Sequence, residues 1–172
     1  MREVDATRLT VPIVDLWMNQ WLLLTAGTLT DCNMMTVAWG SLGCMWGKPF
    51  AQVVVRPQRH TRRYMESGDS FTLCAFPEAY RKDLQTLGSL SGRDSAKLKQ
   101  TGLTLKPSTR VAAPAYEQAS LILECRKIYW QDMDPNGFAD PAIAKNYASR
   151  DYHRIYFGEI VAAFEDAGCK PR

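Results

Sequence analysis

The chain has 172 residues, 46% of them apolar, and 21 Lys+Arg against 18 Asp+Glu leave a net charge of +3. That length supports one domain with a real core over residues 1–172 rather than two, and so mild a charge argues against a nucleic-acid surface. Cys32, Cys44, Cys74, Cys125 and Cys169 are odd in number and never spaced as CxxC, which argues against a disulfide framework or a zinc site and fits a reducing compartment.

The opening segment "MREVDATRLTVPIVDLW" carries charges early and has no continuous apolar run, so no signal peptide is expected. The first predicted strand, 21–28, contains the longest apolar run, "WLLLTAG", far short of the roughly 20 residues that span a bilayer. A soluble, cytoplasmic chain is the expectation. Further strands are predicted at 35–42, 51–56, 70–76, 121–130 and 154–164, each rich in β-branched or aromatic residues and bounded by Gly, Pro, Asn or Asp. Three short helices fall between them. Thr61 is expected to cap 62–67, which stops at Gly68; a second spans 78–90 with Tyr80, Leu84 and Leu87 on one stripe; a third follows a cap at Asp94 and closes at Gly102. In 121–130, Leu121, Leu123, Cys125 and Tyr129 share a face opposite Glu124 and Arg126, which predicts a wet side. The sum is a mainly β (α+β) antiparallel barrel or sandwich.

Four stretches carry chemistry. In "VVVRPQRHT" an apolar strand runs out into Arg56, Gln58, Arg59, His60 and Thr61; guanidinium forks, a hydroxyl and backbone N–H groups at a strand end suit an anion, though a solvated basic loop reads equally well. "GSLSGRDSAK" offers Ser89, Ser91, Gly92, Arg93 and Lys97 on a flexible turn, a composition shared with many inter-helix loops. Asn33, Met34, Met35 and Thr36, with Trp39 and Trp46, combine polar donors and aromatic surface, the mixture an isoalloxazine needs; a barrel core with a tight turn at "GCMWGKP" is the plainer alternative. In "SRDYHRIYFGEIV", His153 stands at a strand mouth where it could touch a ligand or donate a proton, a surface or structural histidine being the plainer alternative, and Gly158 marks a bulge or close backbone approach. "DMDPNGFADPAI" starts like a calcium loop but has Ile143 where a bidentate Glu is required, and reads as a surface loop. No nucleophile motif, P-loop or GxGxxG occurs. His153 is the one candidate catalytic group, so the chemistry points to a cofactor.

Taken in order, "NMMTVAWGSLGCMWGKPFAQVVVRPQRHT", "GDSFTLCAF", "YRKDLQTLGSLSGRDSAK", "LILECRKIY" and "DYHRIYFGEI" resemble the flavin reductase-like proteins near their flavoredoxin branch, over about residues 17–161. The resemblance implies a Greek-key FMN-binding split β-barrel that dimerises with itself and holds FMN non-covalently near the interface. It implies Asn33, Met34, Met35 and Thr36 along the ring edge, and Trp39 or Trp46 beside the ring. Arg56, Gln58, Arg59 and Thr61 would meet the ribityl and phosphate, with Ser89, Ser91, Gly92, Arg93 and Lys97 as the second loop. Asp151, His153 and Arg154 match a further motif, whose His the resemblance implies near the flavin or nicotinamide side, and the loop 132–150 would cover the flavin of the same or the partner subunit.

Two functions follow from the resemblance. The first is an oxidoreductase in which NADH or NADPH reduces the flavin. The second is an electron carrier that receives electrons from a partner protein. A third reading, a nucleic-acid-binding β-barrel using exposed aromatics and arginines, is disfavoured by the small net charge. No membrane partner is expected.

Overall fold

A computed structural model describes residues 1–93 and 96–166; Asp94 and Cys169 lie outside the described residues. The strands are β1 (Arg2–Val4), β2 (Leu22–Gly27), β3 (Cys32–Val37), β4 (Gly40–Met45), β5 (Lys48–Val55), β6 (Ser70–Ala75), β7 (Leu105–Lys106), β8 (Ala115–Tyr116), β9 (Leu121–Asp132) and β10 (Arg154–Glu165). An eight-stranded antiparallel sheet runs β3-β2-β6-β9-β10-β5-β4, with β1 added to β10. Only Ala38 and Trp39 separate β3 from β4, yet these two strands end the path on opposite sides. A two-residue link spans about 10 Å at most. The sheet therefore curls until its edges meet there, as a barrel whose β3/β4 seam carries no strand pairing. The predicted strand 35–42 is thus two strands on either side of the seam.

Alternation in β2 explains its unbroken apolar run. Leu22, Leu24 and Ala26 enter the barrel core with Val53, Phe71 and Leu123, while Leu23 points outward into a second cluster with Met34, Cys74, Leu84 and Tyr116. Both faces are covered, so both are apolar.

The predicted wet face of β9 holds at Arg126, which is exposed, and is corrected at Glu124 by the same covering. Glu124 is 1% exposed, and its carboxylate accepts from the backbone N–H groups of Thr109 (2.8 Å) and Arg110 (2.6 Å) and from the Thr109 hydroxyl. The segment between β7 and β8 closes over it. Tyr129, expected inside, is 42% exposed: Lys127 pairs with Gly158 and Tyr129 with Phe157, so Ile128 is an extra residue that reverses the alternation. Gly158 is required at that bulge, since a Cβ there would lie 2.5 Å from the Phe71 ring.

Among helices, α1 (Ile13–Asp15) continues as a π turn over Leu16–Gln20 and seats buried Trp17 against Gly40, where a Cβ would come within 2.4 Å of the indole. In α2 (Thr61–Ser67) the first helical residue is Thr61, not its cap, and the helix ends as Gly68 N–H donates to Tyr64 O. α3 (Arg81–Ser89) follows a 3-10 turn, Glu78–Tyr80, and buries Leu84 and Leu87. The expected third helix is a 3-10 turn, Lys97–Gln100. The β4–β5 hairpin turns on Trp46 (φ 53°) and Gly47 (φ 70°), the paired positive values of a type I′ turn. Among the described residues no helix is long and apolar enough to cross a membrane.

Candidate functional site

Residues 58–61 between β5 and the start of α2 and 89–92 at the end of α3 converge on the start of β3, and with Asn33 and Lys97 they line a cleft of about 150 Å³. Asn33 ties them together: its side-chain N–H donates to Thr61 Oγ1 at 2.7 Å, and a Cβ on Gly92 would stand 2.0 Å from Asn33 Oδ1. Only glycine lets the second loop approach so closely. Lys97, 3% exposed, donates to Leu87 O (2.9 Å) and Leu90 O (3.1 Å), closing the carbonyl end of α3. Burial, reinforced by the Arg59 charge, pushes its pKa down to about 8. Burial likewise lowers Arg59, and burial with the charges of Arg93, Arg63 and Lys97 lowers His60. Among the described residues no carboxylate pairs with Arg59 or Lys97. The walls hold positive charge that they do not neutralise, which suits an anion.

Along β3 a second cleft of about 220 Å³ opens at the barrel seam, lined by Met35, Thr36, Val37, Ala38, Trp39, Val54, Arg56 and His153. Its walls are mainly apolar, with Thr36, Arg56 and His153 as the polar members. The Thr36 hydroxyl donates to Leu84 O at 2.5 Å, fixing the strand to α3. Trp39 is 48% exposed, with its ring centroid 5.3 Å from that of His153. Burial first, and then the Arg56 charge, lower the His153 pKa to about 4, so its ring is neutral near pH 7.

Arg56 and Gln58 are engaged elsewhere. Arg56 donates to Asp151 at 2.5 Å and Asn146 O at 2.9 Å, and Gln58 donates to the same Asp151 oxygen at 2.6 Å. Arg56 also lies over the Tyr147 ring, 5.2 Å from its centroid. Together they latch residues 146–151 beside the seam. Both side chains hold the Asp151 carboxyl below its ordinary value, Arg56 first.

Of the sequence-derived candidates, Asn33, Gln58, Arg59, Thr61, Ser89, Ser91, Gly92 and Lys97 line the polar cleft, and Met35, Thr36, Trp39, Arg56 and His153 the apolar one. Met34 is not brought to either: alternation sends it into the outer cluster. Trp46 sits at the hairpin tip, edge-on to Tyr129 and Phe157, roughly 20 Å along β5 from Val54 at the strand rise. Arg93 lines neither cleft but acts on His60 by its charge. Arg154 chelates Asp132 at 2.7 Å and covers Trp130. Tyr147 was not singled out in the sequence. An aromatic residue six positions before His153, inside a polar loop, was the only available sign.

An antiparallel split barrel with a cationic cleft and an apolar one side by side along β3 is the architecture of the split-barrel flavin proteins. The chain belongs to the flavin reductase like domain family, whose model matches residues 19–171. It is 24% identical over 143 residues to an uncharacterized protein of Pyrococcus abyssi, covering 81% of this chain and 70% of that one. Its fold is similar to the FMN-binding domain of a flavin reductase-like enzyme from Shewanella baltica OS155 (TM-score 0.69, 22% identity, 96% of this chain and 76% of that). Flavoredoxin of Desulfovibrio vulgaris (Miyazaki F) is also similar (TM-score 0.68, 20% identity, 98% and 79%).

Proposed function

We propose that the chain binds FMN non-covalently along the seam and acts as an NAD(P)H-dependent flavin reductase. The observation that carries this is a pair of neighbouring clefts along β3: a cationic one at Arg59 and Lys97, with no carboxylate partner among the described residues, and an apolar, tryptophan-edged one. The residues fit the group. Gly92 leaves space that any side chain would fill, the basic end suits a phosphate dianion, and the two halves together reach the roughly 300 Å³ at which small-ligand sites begin. Bound flavin would supply the hydride and electron chemistry.

The residues of the chain do the holding. Arg59, Lys97, Ser89 and Ser91 meet the phosphate, with Arg93 adding charge from outside; Asn33 and Thr61 hold the two loops in register. Met35 and Thr36 line the ring edge, and Trp39 rather than Trp46 is its aromatic neighbour within one subunit. Arg56, Gln58 and Asp151 keep the 146–151 segment against the ring end, excluding water there.

A homodimer is part of this reading. It is supported by an outer β-surface on which exposed Trp46 and Tyr129 pack with Phe157, apolar area a second copy would cover; light scattering should give twice the chain mass. The alternative, an electron carrier reduced by a partner protein, is supported by the likeness to flavoredoxin. Reconstitution with FMN followed by stopped-flow mixing with NADH and NADPH tests both. Rapid bleaching by either nucleotide is expected. Bleaching only by a reduced ferredoxin-like protein would select the carrier, and a colourless protein after reconstitution would sink the flavin reading.

A further inference from the structure

A third pocket, larger than either cleft along β3, lies toward the β4–β5 turn. Its volume is about 400 Å³, and it shares no lining residue with those two clefts. Strand register explains how it forms. Leu42 pairs with Ala51 and Cys44 with Pro49, so the side of β4 and β5 that faces the core at Ala51 continues to Cys44 and Pro49 near the turn. Those two side chains are small, and beyond Leu42 and Ile160 they leave that end of the barrel unfilled.

The N-terminal segment roofs the space. β1 holds its start to β10, and the Asp5 carboxylate closes the following turn by accepting from Thr7 N–H at 2.9 Å and from the Thr7 hydroxyl at 2.8 Å. Leu9 and Val11 then pack onto the core and line the pocket. Among the described residues no backbone hydrogen bond ties residues 9–11 to the barrel. A roof held by side-chain packing alone opens at low cost and can admit a molecule.

The lining sets the class of ligand. Among the described residues no charged side chain lines the pocket, and the Thr7 hydroxyl is already engaged. The polar group left is the Cys44 thiol, exposed to solvent and only a weak donor and acceptor. An ionised guest would lose hydration with no counter-charge to replace it, whereas a neutral apolar guest gains in proportion to the area it buries. The volume is more than twice the roughly 150 Å³ that takes a benzene, and it falls within the roughly 300 to 1,000 Å³ of small-molecule sites. We propose that this pocket is a second ligand site, which takes a neutral apolar molecule about the size of two fused rings beneath residues 6–11, with Cys44 on its wall. The site stands apart from the flavin reading, and the two are read separately in the test.

The probe is 2-naphthol, neutral near pH 7, with naphthalene-2-sulfonate as an anion of similar shape. Calorimetry with and without saturating FMN should give one 2-naphthol site of the same affinity, and with FMN bound the sulfonate should bind roughly tenfold more weakly or worse. In the wild-type chain 2-naphthol should slow alkylation of Cys44 by iodoacetamide, read by peptide mapping that separates Cys44 from the other four cysteines. Cys44→Phe fills the pocket and should abolish 2-naphthol binding with FMN affinity unchanged, while Cys44→Ser should retain both. Displacement of 2-naphthol by FMN, equal affinity for the sulfonate with FMN bound, or unchanged Cys44 alkylation at saturating 2-naphthol would overturn the proposal. Binding that disappears as the chain self-associates would overturn it too, since a second copy would then cover the pocket. A chain that binds 2-naphthol and protects Cys44 but never takes up FMN would sink the flavin reading and leave this site standing.

Discussion

Arg59 reaches the polar cleft without a carboxylate partner among the described residues, which separates it from Arg56, already paired with Asp151. A guanidinium that is partly buried and unpaired is the group with most to gain from a phosphate. Arg59→Ala should therefore weaken FMN by about 1.5 to 3 kcal/mol, read as the dissociation constant by fluorescence quenching, and an unchanged constant would remove Arg59 from the site. Lys97 makes a second prediction, with a sign. Its pKa lies near 8 without an anion, and a bound phosphate favours the charged form and raises it. FMN affinity should fall as pH rises through about 8, and binding above that pH should take up a proton. Calorimetry in buffers of different ionisation enthalpy measures the uptake directly; none at pH 9 would show that Lys97 faces only the carbonyls of Leu87 and Leu90.

The β4–β5 hairpin shows how an element decides the fate of a residue. A type I′ turn demands positive φ at both centres, and Trp46 accepts it at a cost of about 1 kcal/mol relative to residues that adopt it readily. Its ring is 60% exposed yet lies edge-on to Tyr129 and Phe157. Local turn chemistry alone would favour Asn-Gly here. Trp46→Asn should leave the melting temperature of the subunit unchanged or slightly higher and weaken self-association, checked by calorimetry and by light scattering across a dilution series. An undiminished dimer would place the interface elsewhere. In β9 a single extra residue, Ile128, has a comparable reach, because it turns Tyr129 out of the barrel and onto the same outer surface.

At the scale of the molecule, the seam is where the barrel is least self-sufficient, since β3 and β4 share no hydrogen bonds and the 146–151 segment is held beside it by Arg56 and Gln58. His153 is buried at that seam with its pKa held near 4 against an ordinary 6.5. The folded state therefore binds fewer protons than the unfolded one between those values. Stability present above pH 6.5 should be lost as pH falls toward 4, by about 2 kcal/mol once the openness of the cleft is allowed for. Denaturant midpoints at pH 7 and pH 4.5 measure it, and His153→Gln should remove most of the slope, the remainder belonging to His60, which is also lowered. The lowered carboxyls of Asp5, Asp15, Asp132 and Asp151, whose ordinary value is 3.8, act mainly below this window, so a slope undiminished in the variant would refute the assignment.

The sequence by itself determined the strands that bury at least one face, the helix stripe of Leu84 and Leu87, the bulge at Gly158 and the two basic loops, because each is written in local periodicity or in the one residue type a backbone position tolerates. It also carried the family. What only the tertiary structure decided is which side chains share a cleft. The two-residue link at Ala38 and Trp39 brings opposite sheet edges together, the close approach of Gly92 to Asn33 joins loops nearly sixty residues apart in the chain, and Asp151 claims Arg56 and Gln58 ahead of any ligand. Burial of Glu124 and exposure of Tyr129 were likewise hidden, since period-2 patterning reports an alternation and not what covers each face or where one inserted residue reverses it. Packing across long sequence separations sets those outcomes, and no local pattern encodes it.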